Sequence, residues 1–93
     1  NVTPFVGIKN DLSERYSVIE VSGKDRPGLL YELATIISDL KLNIYSAHIS
    51  TFGEQATDVF YVLNYDGSKI LQNRLNKKIK NSLIKVFSED ANG

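Results

Sequence analysis

The sequence predicts an α+β fold, a two-layer sandwich in the order β-β-α-β-β-α with both helices on one face of a four-stranded sheet. Three observations predict it. Residues 16–21 are rich in β-branched side chains and too short for a helix, and residues 43–52 alternate between two sides. Apolar residues recur at helical spacing after residue 29 and again after residue 70. Turn residues stand wherever the period changes, at Gly23, at Gly53-Glu54 and at Asp66-Gly67.

Taken in order, Phe5, Val6 and Ile8 form a short apolar segment, and residues 10–14 make a polar turn. Residues 16–21 are the second strand. The first helix carries Leu29, Leu30, Leu33, Ile36, Ile37 and Leu40 on one stripe and ends near Lys41. In residues 43–52, Tyr45, Ala47, Ile49 and Thr51 fall on one side, and Ser46, His48 and Ser50 on the other. Residues 56–63 follow, with Val59, Phe60, Tyr61, Val62 and Leu63 apolar on both sides, as suits the middle of a sheet. Ile70, Leu71, Leu75, Ile79, Leu83 and Phe87 mark the second helix, and residues 88–93 read as a frayed tail.

A β-α-β-β-α-β ferredoxin-like unit needs a last strand after its second helix, and no periodic segment follows Phe87. The segment at residues 4–9 can fill that slot as a hairpin partner of residues 16–21, which makes a permuted ferredoxin-like sandwich. The face away from the helices then carries Glu20, Ser46 and His48 and stays partly open.

Ninety-three residues allow one domain, 1–93, with an ordered core over about residues 4–87. The absence of cysteine excludes a disulfide framework and a thiolate metal site. A formal net charge of zero argues against binding nucleic acid or a membrane surface through bulk charge. No apolar run approaches the ~20 residues that span a bilayer, so a cytoplasmic location is expected. The chain holds no methionine and does not begin with one, which leads us to expect a piece of a larger multidomain protein.

The most informative stretch is Gly-Lys-Asp-Arg-Pro-Gly-Leu-Leu-Tyr at residues 23–31. Pro27 suits a first helical turn and Asp25 suits a cap. Gly28 within that turn costs roughly 1 kcal/mol against alanine, so something is expected to come close to its backbone. Local chemistry leaves two readings open, a tight strand-to-helix turn and an anion-accepting ligand loop.

The segments at residues 19–31 and 42–49, then Gly53-Glu54 and residues 58–62 (Asp-Val-Phe-Tyr-Val), resemble an ACT domain. More narrowly they resemble the C-terminal ACT domains of the bifunctional uridylyltransferase/uridylyl-removing enzymes that act on the PII signalling protein. The resemblance covers about residues 4–87. It implies a regulatory module that senses an amino acid, glutamine in this family, at an interface with a second ACT unit or a homodimer partner. It implies no catalytic residue and no metal ligand here, because the transferase and phosphohydrolase sites, with their UTP and divalent metal, belong to other domains of such a parent.

Carried over residue by residue, the resemblance implies two ligand-binding strips. The first is Asp25, Arg26, Pro27, Gly28, Leu29 and Leu30, whose helix-start amides would receive a carboxylate while Asp25 faces an ammonium group. The second is Asn43, Ile44 and Ser46, which would meet the ligand from a partner domain. Asn43 has the donor and the acceptor that a side-chain amide needs, and it equally fits a helix stop.

His48, the one histidine, lacks neighbours for a triad or a metal pair and reads as structural. Lys69, Arg74, Lys77, Lys78, Lys80 and Lys85 read as a solvated face of the last helix, with docking onto an acidic surface as the alternative. Phe60 and Tyr61 read as packing residues. An RNA-recognition module shares the topology, but the basic-glycine-aromatic signature is missing and Glu20 and Asp58 put acid on the strands. A small acyl- or phosphoryl-transfer enzyme would need a nucleophile at the glycine corner, where only Asp25 and Arg26 stand. A scaffold that pairs ACT units without a ligand of its own is the remaining alternative.

Overall fold

The computed structural model describes residues 2–92, with the side chains of residues 2–88. Its elements are β1 (Phe5–Lys9), β2 (Ser17–Lys24), α1 (Leu29–Asp39), β3 (Leu42–Phe52), β4 (Gln55–Asn64) and α2 (Asn73–Asn92). The sheet order is β1-β2-β4-β3, and every neighbouring pair is antiparallel. Strands β2 and β3 both oppose β4, so they run parallel to each other, joined through α1 across the central β4. β1 takes the outer place beside β2, Phe5 opposite Ser22 and Lys9 opposite Val18. The architecture is the permuted ferredoxin-like sandwich.

Both helices cover the face that carries Ile19, Val21, Phe60 and Val62. α1 buries Leu29, Leu33 and Ile37, and α2 buries Ile79, Leu83, Val86 and Phe87. Each such side chain contributes about 1.5–3 kcal/mol relative to exposure. α2 comes so close to β2 that a methyl group on Gly23 would stand 2.6 Å from Cδ1 and Cζ of Phe87. The missing side chain at Gly23 is what lets the ring lie on the strand.

Several local expectations are corrected. Asp25 and Pro27 do not open α1: the residue before its first turn is Gly28, at φ 80°, and no side chain caps it. Asn43 does not stop the helix, since Leu40 closes it, Lys41 takes the left-handed conformation at φ 64° and Asn43 already belongs to β3. α2 starts at Asn73 rather than at Ile70, and Leu71 is exposed.

Ile70 is buried ahead of the helix because hydrogen bonds hold its backbone. Its N–H donates to Ser17 Oγ at 2.8 Å, and its carbonyl accepts from Asn10 Nδ2 at 2.9 Å. Lys69 likewise precedes α2 and donates to the Asn10 and Ser13 carbonyls of the β1–β2 turn. At the other end α2 continues to Asn92, through the stretch expected to fray, and Gly93 lies outside the described residues.

The alternation of β3 breaks once. The register shifts between Ile44 and Ser46, where a bulge inserts Tyr45 as an extra residue. Tyr45 therefore turns to the open face, against the expected grouping with Ala47, Ile49 and Thr51. It stacks there on Tyr16 at 5.0 Å between ring centroids, and Tyr16 meets Tyr61 edge-on at 6.2 Å.

Candidate functional site

The corner after β2 is held from three directions. The Asp25 N–H donates to the Glu54 carbonyl of the β3–β4 turn at 2.8 Å. The Arg26 guanidinium forms an ion pair with Glu32 in the first turn of α1. The Leu29 N–H bends back to the Arg26 carbonyl at 3.2 Å. These ties order a loop that must turn sharply from strand to helix.

Gly28 owes its place to backbone conformation rather than crowding. A Cβ built there meets nothing within 4 Å, whereas its φ of 80° is disfavoured for any side-chain-bearing residue. Its carbonyl accepts from the Glu32 N–H at 3.0 Å and starts the helical ladder. The Leu30 and Tyr31 amides of the same turn find no backbone carbonyl among the described residues. They supply donors and the positive end of the helix dipole.

This turn borders a notch of about 340 Å3 lined by Asp25, Arg26, Gly28, Leu29, Leu30, Tyr31, Ile49 and Asp58. Small-ligand pockets begin at roughly 300 Å3, so the notch suits a compact molecule. Five of the six residues in the expected first strip line it, and Pro27 does not. The second strip lies elsewhere within the chain. Asn43 pairs with Leu63 at the far end of β3, Ile44 faces the helix layer with Val62, and Ser46 sits on the open face, 2.7 Å from His48 Nε2. The β3 residue that does reach the notch is Ile49.

Asp58 was not among the expected site residues. It is 2% exposed, and its Oδ1 has no hydrogen-bond partner among the described residues. Burial raises its pKa above the ordinary carboxylate value, and the like charge of Asp25 raises it further. The signal was present in the alternation of β4: Asp58 shares the period-two face of Ala56, Phe60 and Val62, so an acid was written onto the buried side.

Other features offer less. A groove of about 350 Å3 between α1 and α2, lined by residues such as Ile36, Leu40 and Lys85, has no buried unpartnered group among the described residues. Among the described residues no cluster of three or more His, Cys, Asp or Glu is placed to hold a metal. His48 lies edge-on to Tyr61 at 5.6 Å, and Phe60 is wholly buried. No helix is long and apolar enough to cross a membrane.

Comparison with known proteins agrees with this geometry. The family model described as the ACR family N-terminal ACT domain matches residues 13–90. A bifunctional uridylyltransferase/uridylyl-removing enzyme of Bradyrhizobium sp. (strain ORS 278) is 56% identical over 98% of this chain and 10% of its own length. Proteins of the same name from Rhodopseudomonas palustris and Phenylobacterium zucineum are 54% and 46% identical over 94% and 95% of the chain, in each case 9% of their own length. The chain thus spans about a tenth of the curated relatives it matches. With a family model matching residues 13–90 and a permuted ferredoxin-like sandwich, the chain belongs to the ACT domain family.

Proposed function

We propose that residues 1–93 form one regulatory ACT unit of a larger cytoplasmic protein, and that this unit senses an amino acid, glutamine first among candidates. The parent would be a PII uridylyltransferase/uridylyl-removing enzyme, by similarity to proteins of that activity. The observation that carries the reading is the notch itself, where a first helical turn whose Leu30 and Tyr31 amides find no backbone carbonyl among the described residues stands beside two acids, Asp25 and Asp58. One pole of the site suits a ligand carboxylate and the other its amine. Asn43, Ile44 and Ser46 would serve a second ACT unit's ligand, since they are remote from the notch of their own chain. A ligand held between two units biases the parent between transferase and hydrolase states only by binding one arrangement more tightly than the other.

Calorimetric titration of the intact protein with a panel of amino acids tests this. Glutamine is expected to bind, and Gly28→Asn, which tolerates a left-handed backbone, is expected to keep the fold and lose the response. Binding unchanged in that variant removes the corner from the site, and no binding by any amino acid overturns the sensor.

The edge of β3 favours a second reading, a pairing scaffold. Among the described residues its outer side has no strand partner, and Ile49 and Phe52 are 54% and 89% exposed. A protein that pairs through this edge without any ligand would support the scaffold alone.

A further inference from the structure

We infer that the buried Asp58 carboxylate is the specificity-determining receptor for a primary ammonium group, so that the notch accepts ligands with a free amine beside a carboxylate and rejects their deaminated analogues. The inference rests on the amino-acid reading above and names the residue that enforces it.

Three independent features converge on Asp58. It is 2% exposed, yet its side chain borders an open notch rather than the close-packed core. Its Oδ1 is unpartnered, a state that costs stability unless some other group satisfies it. The like charge of Asp25 acts on it as well, which makes the buried carboxylate more unfavourable. An ammonium group seated against Asp58 answers all three: it donates to the carboxylate, neutralises the buried charge and screens the repulsion from Asp25. Leu30 and Tyr31, in the first turn of α1, line the same notch. An α-amino acid carries its two charged groups on one carbon, so it spans both poles of a site this compact.

Strand register explains why the position is rigid. Asp58 lies between Val21 of β2 and Ile49 of β3 in the middle of the sheet. A carboxylate on a central strand cannot swing to solvent as a loop residue can. The other charged or titratable groups lining the notch are Asp25, Arg26 and Tyr31. Arg26 is anchored through its ion pair with Glu32.

The test is an NMR titration of the intact protein, with both ACT units present, labelled to follow the Asp58 side-chain carboxyl carbon and the Leu30 and Tyr31 amides. Four probes at millimolar concentration are used: glutamine, N-acetylglutamine, glutaramate, which lacks the α-amine, and γ-aminobutyramide, which lacks the α-carboxylate. Glutamine and γ-aminobutyramide are expected to shift the Asp58 carboxyl resonance, and the other two are not. In Asp58→Asn the affinity for glutamine is expected to fall roughly thirtyfold or more, as for loss of one partner of a buried charge pair.

Equal glutamine binding by the variant, or equal binding of glutaramate by the unchanged chain, overturns the role of Asp58 and leaves the sensor reading standing. A carboxyl shift with γ-aminobutyramide and no further gain from any amino acid supports Asp58 as an amine receptor and overturns the amino-acid reading. No response to any probe overturns both. The carboxyl measurement on the unchanged chain needs no substitution, so it stands whether or not the variant folds.

Discussion

Gly23→Ala tests how α2 is set behind the ligand corner, because Gly23 is two residues before Asp25 and lies under Phe87. The added methyl would stand 2.6 Å from Cδ1 and Cζ of that ring and closer still to Cε1. Carbon contacts are comfortable at about 3.5–4.0 Å, so the ring must retreat by roughly 1 Å. Phe87 is 5% exposed and packed within the core, so retreat disturbs its neighbours. Gly23 is not among the positive-φ glycines, so backbone strain contributes nothing. Overpacking of this kind costs typically 1–3 kcal/mol, against about 0.4–1 kcal/mol regained from the stiffer unfolded chain.

A net loss of about 1–2 kcal/mol is expected, lowering the thermal midpoint by roughly 4–16 °C for a domain of this size. Urea unfolding of the single variants and of Gly23→Ala/Phe87→Leu forms a double-mutant cycle. Relief of the clash should make the double variant more stable than the sum of the two single losses. Strict additivity, or a Gly23→Ala chain as stable as the original, refutes the packing argument.

Further outcomes concern charge and backbone. Because the folded state raises the pKa of Asp58, its contribution to stability is present at acid pH and is lost as pH rises through the folded value. Asp58→Asn should therefore raise the urea midpoint of the ligand-free chain at neutral pH. That gain should shrink as the pH falls through the raised folded value and be gone below the ordinary carboxylate value of about 3.9, and a gain independent of pH contradicts it. Lys41 holds a left-handed backbone at φ 64° on an exposed surface. Lys41→Gly should stabilise by about 0.5–1 kcal/mol, and a lower unfolding midpoint would count against that conformation.

The order of elements was determined by the sequence alone, because hydrophobic period and turn chemistry are local properties of the chain. The period of α1, the apolar run from Val59 to Leu63 in the central β4 and the short hairpin strand β1 were legible in that way, as was the strand-to-helix turn from Asp25 to Leu30. Features that depend on how distant segments meet had to wait for the tertiary structure. The bulge that turns Tyr45 to the open face arises from register against β4. Ile70 is buried ahead of its helix because Ser17 and Asn10, more than fifty residues away, bind its backbone. Asp58 was visible as a residue, but its burial beside the notch exists only once β4 is flanked by β2 and β3 with α1 beside it. Desolvation is set by everything that surrounds a group, and a linear pattern specifies only the neighbours along the chain.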